Sequence, residues 1–394
     1  MGNSIKEIIN EDCCGCTACF SACPKNAIKM SENEKGFLYP VVDDELCIEC
    51  GKCINVCQLA NPNNCPETKD FYAVKHSDTK IREKSSSGGI FSLLADYVES
   101  KNGVIYGVEF DENFKVKHAR AEKKSEWRKF TCSKYVQSAL NDVFKSIKQD
   151  LKNDRYVLFS GTPCQVYGLN LFLGNKNYER LLTCDIICHG VPSPKIWNEY
   201  MSCIEKRTKK KIANVNFRNK ENVGWHRSTL RISDADSCDL VNESQSVNFF
   251  HFMFLKHYIL RPSCFNCKFS NINRPGDVTI GDFWGIEKNY AFFDDNKGTS
   301  LVLLNSEKGK KVFDEIKSST EYIEVEESKC RLQQNLNYPS KKANDYDKFW
   351  NKYNKIGLEK MEKYFRILKW HYVLRIKAKF TSVSKRIKNK FCKS

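Results

Sequence analysis

The chain has 394 residues, of which 41 % are hydrophobic and 28 % charged, and this balance excludes a globally disordered protein. Its net charge is +16, and residues 363–394 hold eleven lysines or arginines and no acid. Twenty cysteines in a chain this long do not fit a small disulfide-stapled secreted domain. The sequence contains no pattern typical of a signal peptide and no apolar run of membrane-spanning length. We therefore expect a reduced, cytoplasmic protein whose thiols bind metal or carry out chemistry.

Two cysteine runs near the N-terminus have the spacing of a bacterial ferredoxin. Residues 13–24 read C-x2-C-x2-C-x3-C-P, and residues 47–57 repeat the four cysteines. Three thiolates at every third residue wrap one face of a [4Fe–4S] cube, and the fourth ligand crosses over from the other run. Zinc is the alternative, but zinc sites usually pair two CxxC motifs across a longer loop. The predicted ligands are Cys13, Cys16, Cys19 and Cys57 for cluster I, and Cys47, Cys50, Cys53 and Cys23 for cluster II.

Three residues of this N-terminal region depart from the ferredoxin pattern. Gln58 follows the second run, where a proline is usual. We expect it to change the turn and the surroundings of the cluster, although it removes no ligand. Cys14 and Cys65 lie outside the spacing, and we expect neither of them to bind metal.

The polar segment 61–70, with two prolines, separates a cluster domain at 1–65 from the rest of the chain. Beyond it, apolar runs predict strands at 103–110, 156–161, 181–190 and 278–285, and helical patterns predict helices at 89–100 and 193–207. Ser193 is the expected N-cap of the second helix, with Pro194 at its first position. The fold class that follows is an α+β ferredoxin-like module before an α/β body.

Three turns of the body contain residues that suit a bound ligand. The GTPCQ turn at 161–165 follows an apolar strand, and SSSGG at 85–89 opens a helix. Free amides and hydroxyls at such turns suit a diphosphate, although both turns could also be plain helix caps. GDFWG at 281–285 ends a strand, where open α/β sheets bind ligands, and the alternative there is a core tryptophan.

Six phrases of the body, taken together and in this order, resemble the beta-subunit family of coenzyme F420 hydrogenases and dehydrogenases. The resemblance covers about residues 71–305. It implies a flavoprotein that binds FAD beside a [4Fe–4S] cluster and passes electrons between metal centres and a hydride acceptor. The phrases are SSSGGIFS (85–92), SKYVQS (133–138), LFSGTPCQV (158–166), CHGVPSP (188–194), LRPSCFNCKF (260–269) and TIGDFWGI (279–286).

The resemblance also implies which residues hold the cofactors. The implied flavin contacts are Ser86, Ser87, Gly88, Gly89, Lys134, Gln137, Gly161, Thr162, Pro163, Gln165, Gly281, Asp282 and Trp284. The implied ligands of a third [4Fe–4S] cluster are Cys164, Cys188, Cys264 and Cys267, with Cys132 and Cys184 as competing candidates. A zinc site or plain buried cysteines are the alternatives to this third cluster. On this reading residues 71–150 are a flavin-associated region, and residues 151–335 carry the third cluster and the substrate site.

Residues 340–394 form a basic tail, and its last part predicts an amphipathic helix. One face is apolar, which indicates contact with a membrane surface or a partner, or packing on the body. Nucleic acid is a poorer reading because Lys outnumbers Arg by 49 to 15. The apolar stripe contains Phe365, Leu368, Tyr372, Ile376, Phe380, Val383, Ile387 and Phe391. On the membrane reading, the cytoplasmic protein would lie at the inner face of the membrane.

These features predict an iron–sulfur flavoprotein oxidoreductase. Electrons from a ferredoxin-type donor or a partner redox subunit would pass through the clusters to FAD and on to a deazaflavin-like or polysaccharide-pathway substrate. The alternative is an electron-transfer subunit that docks on a catalytic partner and has no substrate site of its own. His189 is a candidate to tune the third cluster or to shuttle protons, with a local hydrogen bond as the alternative. Arg218 and Lys220 are candidates to hold an anionic substrate or to form a solvated charged strand.

Overall fold

The computed structural model describes residues 3–65, 67–68 and 70–367. The strands within these ranges are β1 (Ile28–Glu32), β2 (Leu38–Val42), β3 (Asp70–His76), β4 (Val104–Phe110), β5 (Val116–Ala121), β6 (Val157–Gly161), β7 (Leu181–Ile186), β8 (Asn214–Asn219), β9 (Thr229–Ser233), β10 (Asp239–Ser244), β11 (Val278–Asp282), β12 (Ser300–Leu304) and β13 (Thr320–Glu324). The α-helices are α1 (Ala18–Ala22), α2 (Lys52–Asn55), α3 (Thr79–Lys84), α4 (Ile90–Ser100), α5 (Lys124–Trp127), α6 (Val143–Lys152), α7 (Pro163–Phe172), α8 (Pro194–Thr208), α9 (Phe249–Leu255), α10 (Ile286–Asn289), α11 (Glu307–Ile316), α12 (Glu327–Cys330) and α13 (346–367).

The N-terminal module consists of two similar halves joined by the antiparallel pair β1–β2. Its helices α1 and α2 each begin directly after a residue with left-handed backbone, Thr17 at φ 64° and Gly51 at φ 72°. Each helix carries the third cysteine of its run, Cys19 in α1 and Cys53 in α2. The tight turn and the short helix together place each cysteine run around a small space, which is the geometry that a cluster requires.

An eight-stranded mixed sheet, in the order β13-β3-β12-β11-β7-β6-β4-β5, forms the centre of the body. The four strands β11, β7, β6 and β4 are parallel neighbours, and the outer strands pair antiparallel. This one sheet takes strands from both segments 71–150 and 151–335. The carboxyl ends of β6, β7 and β11 lie along the same edge, where sheets of this kind bind ligands.

Helices cover both faces of this sheet, which explains why Val157–Phe159 of β6 is completely buried and apolar. α4 and α11 pack on one face, where Leu94 and Val312 are buried. α6 and α7 pack on the other face around Leu169. Ala18 of the module joins this second layer, so the module rests against α6 and α7.

A smaller antiparallel sheet, β10-β9-β8, packs with α8, α9 and α13 around an aromatic core. Trp197, Phe217 and Phe250 meet at ring-centroid distances of 4.9–6.0 Å. Because large aromatic rings are buried here, the smaller sheet and its helices form a hydrophobic core separate from that of the eight-stranded sheet.

The predicted elements of the body are confirmed where the signals were strongest. Ser193 caps α8, and its hydroxyl accepts a hydrogen bond from the Ile196 amide at 3.3 Å. β4, β6 and α4 match their predicted ranges to within one residue. β7 and β11 are shorter than predicted, ending at Ile186 and Asp282. After β7 the chain turns through Gly190, whose φ of 128° suits glycine.

Arg261, which is fully buried, ties the module to the body. Its guanidinium donates to the Cys13 carbonyl at 2.8 Å and the Leu38 carbonyl at 3.0 Å, both in the module. It also donates to the Gln137 side chain of the body at 3.2 Å, and it lies 4.1 Å from the centre of the Tyr39 ring. One side chain therefore fixes the cysteine module at a set position on the body.

The described part of the basic tail packs on the body. Phe365 in α13 has ring-centroid distances of 4.9 Å to Phe249 and 4.7 Å to Phe252. The rest of the predicted apolar stripe, from Leu368 to Phe391, lies outside the described residues. Among the described helices, none is long and apolar enough to span a membrane.

We predict that Asp185→Asn strongly destabilises the body. Asp185 and Arg274 are both inaccessible to solvent and form an ion pair, and the same carboxylate accepts from the Gly276 amide at 2.9 Å. The substitution leaves the buried guanidinium without its counter-charge, a loss of about 3–5 kcal/mol in the free energy of unfolding. Urea unfolding measures this loss.

The control is Asp314→Asn, which breaks the exposed pair between Asp314 and Lys317. This change should cost no more than about 1 kcal/mol. Equal losses of stability in the two variants would contradict the role given to the buried pair.

Candidate functional site

Two cavities in the module are lined by cysteines from both runs. Cys13, Cys16 and Cys19 of the first run share one cavity with Cys57 of the second. The other cavity has one cysteine from the first run and three from the second, namely Cys23, Cys47, Cys50 and Cys53. We call these cavity I and cavity II, and the cysteines are grouped across the runs rather than run by run.

The surroundings of both cavities suit cluster-binding thiolates. Backbone amides approach two of the sulfurs at 3.3 Å, from Ile5 to Cys53 and from Ala27 to Cys23, and hydrogen bonds of this kind tune Fe–S clusters. Burial raises the pKa of Cys57 to about 12, so that thiol stays protonated unless a metal holds it as thiolate. In the ranges that the structure describes, no three His, Cys, Asp or Glu side chains are grouped so as to hold a single ion.

A third group of cysteines forms where α7, the end of β7 and the loop 262–267 meet. Burial raises the pKa of Cys188, and Cys264, Cys164 and Cys267 are close enough to raise it further. Burial likewise raises the pKa of Cys264 to about 12, with contributions from Cys267 and Cys164. These four thiols are therefore near enough to influence one another's ionisation.

The two competing cysteines lie elsewhere. Cys184 is completely buried in β7, within the core formed with α4 and α11. Cys132 lies on the wall of the neighbouring cleft, where its thiol donates to the Lys84 carbonyl at 3.2 Å.

Cys14, which was not expected to bind metal, and Gln58 lie between cavity I and the third cysteine group. The neighbouring thiols of Cys16 and Cys164, together with burial, raise the pKa of Cys14. The Gln58 amide donates to the Cys14 sulfur at 3.0 Å and to the Cys164 carbonyl at 3.2 Å. The replacement of the usual proline by Gln58 is the one sequence signal that pointed here.

A large cleft of about 560 Å³ opens at the carboxyl edge of the parallel strands, within the range typical of small-molecule sites. Turns from separate parts of the sequence form its wall. Of the predicted flavin contacts, those that line it are Ser86, Ser87, Gly89, Lys134, Gly161, Thr162, Gln165, Gly281, Asp282 and Trp284. Cys188 lines the same cleft, so the third cysteine group borders it.

Three predicted flavin contacts do not line the cleft. The Gly88 amide donates to the Ser300 hydroxyl at 3.0 Å, so the backbone there is joined to β12. Gln137 faces the module, where it accepts from Arg261. Pro163 is buried at the first position of α7. The sequence could not show which way these side chains and amides point.

The SSSGG turn is held in place by the protein itself. The Ser85 hydroxyl donates to the Ile81 carbonyl at 2.8 Å, and the Ser87 hydroxyl donates to the Thr299 carbonyl at 2.9 Å. The Lys220 ammonium group donates to the Ser87 carbonyl at 3.1 Å. These hydrogen bonds therefore fix the conformation of the turn. The side chains and amides of the turn that face the cleft are held in place without a bound ligand.

Lys220 and Arg218 are buried, which corrects the expectation of a solvated charged strand. Lys220 donates to three carbonyls, and burial lowers its pKa to about 7. Arg218 pairs with Asp282 at 3.4 Å and lies 4.8 Å from the Trp284 ring centre. Both cations support the wall of the cleft from behind.

The GTPCQ turn is a helix cap as well as part of the cleft. The Thr162 amide donates to the Gln165 side chain at 2.9 Å, which forms a capping box at the start of α7. Trp284 is not a core residue, because 39 % of its surface is exposed and it lines the cleft. Its ring stacks on Trp225 at 4.9 Å.

Two histidines stand on the cleft wall. Burial lowers the pKa of His189 to about 4, and its Nε2 lies 2.9 Å from Nε2 of His257. His251 is almost completely buried, and neither ring nitrogen has a hydrogen-bond partner. Both rings are neutral at pH 7, and His251 offers an unused polar group to a molecule in the cleft.

Comparisons with known proteins agree with this architecture. Residues 154–329 match the family model for the C terminus of the coenzyme F420 hydrogenase/dehydrogenase beta subunit, and residues 12–60 match a 4Fe-4S dicluster domain. No curated protein matches the chain. Residues 154–329 are thus similar to the C terminus of coenzyme F420 hydrogenase/dehydrogenase beta subunits, and a segment similar to 4Fe-4S dicluster domains precedes them.

One solved structure similar to this chain is a chain of the xenon-derivatized F420-reducing [NiFe] hydrogenase complex from Methanosarcina barkeri. The two chains are 14 % identical, with a TM-score of 0.47. The match covers 75 % of this chain and 95 % of the other.

Proposed function

We propose that this chain is an iron–sulfur flavoprotein oxidoreductase that carries electrons from a ferredoxin-type donor to FAD and on to a hydride acceptor. The observation that carries the proposal is the order of the sites. Cavity II adjoins cavity I, Cys14 joins cavity I to the third cysteine group, and Cys188 of that group lines the cleft. Such a series of neighbouring sites suits transfer of single electrons to a cleft where a flavin supplies hydride chemistry.

Each proposed cluster has four cysteines available. The first two sets are those of cavities I and II, and the third comprises Cys164, Cys188, Cys264 and Cys267. The Val191 amide donates to the Cys264 sulfur at 3.4 Å, a hydrogen bond that would stabilise a thiolate ligand. Burial raises the pKa values of Cys188 and Cys264, so bound iron would be what keeps these two thiols deprotonated.

The cleft has the groups that FAD needs. The α7 N-terminus and the turn at 85–89 would hold the diphosphate, because helix N-termini favour anions. Lys134 on the same wall supplies a nearby cation. His251 and Trp284 would face the ring system or the substrate, since one has unpaired ring nitrogens and the other an exposed ring.

The proposed substrate region lies within residues 151–335, and 71–150 supplies the flavin-associated turn at 85–89. Residues 1–65 would serve only for electron delivery, and the tail 340–394 would support the body. A deazaflavin-like or polysaccharide-pathway substrate would enter beside Trp284, where the cleft is open to solvent.

Replacing Cys264 by Ser tests this order of sites. We expect the variant to lose about four irons and keep about eight, because only the third set loses a ligand. The N-terminal clusters should remain reducible by a ferredoxin, while bound flavin should no longer be reduced through them. Iron analysis and anaerobic spectra at flavin wavelengths measure both effects.

The control is Cys238→Ser, since Cys238 is exposed and distant from the three cysteine groups. It should retain iron content and flavin reduction. A Cys264→Ser chain whose flavin is reduced as fast as in the unaltered protein would refute the proposed route.

A further inference from the structure

A groove lined by lysines runs along the seam between the module and the body. Its volume is about 480 Å³. Lys52 in α2 contributes from the module, and Lys145, Lys148 and Lys152 contribute from α6. The lining contains no aspartate or glutamate. Lys52 also lines cavity II, so the groove adjoins that set of cysteines.

Cavity II is the part of the cysteine series that faces solvent. Cys50 is exposed, and the nearby apolar side chains of Leu46 and Ile48 are 49 % and 58 % exposed. These two residues belong to an acidic segment that contains Asp43, Asp44, Glu45 and Glu49, and Glu49 itself lines cavity II. A partner with negative charge would therefore be directed to the lysine side.

We propose that the lysine groove is the docking site of a small acidic electron-carrier protein, and this proposal rests on the proposed function. The carrier loses one electron, and the cluster in cavity II gains it, with no bond made or broken. Complementary charge steers such encounters and raises the association rate, and salt screens the effect. Redox partners of this kind form small, short-lived interfaces, which suits a groove of modest size.

The test is the double variant Lys148→Glu/Lys152→Glu, with a reduced acidic [4Fe–4S] ferredoxin as the probe. The rate of reduction at low salt should fall about tenfold or more, and the dependence of the rate on salt should largely disappear. Photoreduction by the uncharged deazariboflavin should be unchanged, which shows that the clusters are intact.

A matched control exists on α13. Lys348→Glu/Lys352→Glu changes two exposed lysines at the same spacing, and Lys352 lies over the Tyr364 ring as Lys148 lies over Phe172. If both double variants slow the ferredoxin equally, or neither does, the docking site is wrong. Loss of photoreduction in the unaltered chain would instead refute the proposed function.

A second inference concerns the contact between cavity I and the third cysteine group, and it also rests on the proposed function. Cys14 lines cavity I, and Gln58 donates both to the Cys14 sulfur and to the carbonyl of Cys164 in the third set. The approach is close, because a Cβ placed on Gly168 of α7 would lie 2.8 Å from the Cys16 sulfur. A proline in place of Gln58 would offer no side-chain amide.

We infer that Cys14 is a positioning residue that couples the two clusters and tunes both. Hydrogen bonds to ligand sulfurs stabilise the more negative, reduced cluster and so raise its reduction potential. Because Cys14 lies between the two sets, its removal acts on both potentials together. Gln58 holds the thiol in place through the 3.0 Å hydrogen bond.

Redox titration followed by electron paramagnetic resonance tests this role in the full chain. Cys14→Ala should keep about twelve irons and shift the potentials of cluster I and the third cluster to more negative values. Cys14→Ser keeps a hydroxyl donor and should restore most of both shifts. The control is Cys65→Ala, an off-pattern cysteine that packs near Cys267 and should shift neither potential.

Unchanged potentials in Cys14→Ala would overturn the coupling role. Loss of about four irons would also overturn it, because Cys14 would then be a ligand. An unaltered chain with only about eight irons would refute the third cluster itself, which is a failure of the proposed function rather than of this inference.

Discussion

The buried guanidinium of Arg261 fixes the distance between the cysteine module and the body, and the proposed series of redox sites depends on that distance. The side chain donates to carbonyls of Cys13 and Leu38 and to Gln137 of the body. A buried cation with several acceptors tolerates little displacement, because each lost hydrogen bond leaves charge unsatisfied. Cavity I is therefore held against α7, whose first turn carries Cys164.

The body supplies the second fixed element, which is the carboxyl edge of its parallel strands. β6, β7 and β11 end side by side, and the turns after them place Thr162, Cys188 and Trp284 around one cleft. The buried pair of Asp185 and Arg274 lies under this edge and holds the segment before β11 against β7. Rigid strands with adaptable turns suit a site where a cofactor and a substrate must meet.

Sequence patterns predicted the local features and much of the site. The ferredoxin spacing located the cysteine module, and the Ser193 cap located α8. The turn phrases located most of the cleft wall. Spacing carries no information on which way a buried polar side chain faces, so Gln137 was assigned to the cleft although it serves the module contact. For the same reason, only the structure shows that Lys220 supports the wall of the cleft. Only the structure shows that Cys14 lies between cavity I and the third cysteine group.

The central claim is that three cysteine sets and one flavin site form a single series within this chain. The most direct measurement is the iron, acid-labile sulfide and flavin content of the full chain purified without oxygen. The account predicts about twelve irons and about twelve sulfides for each chain, with one FAD. About eight irons with no flavin would contradict it, because the module would then be the only redox-active part of the protein.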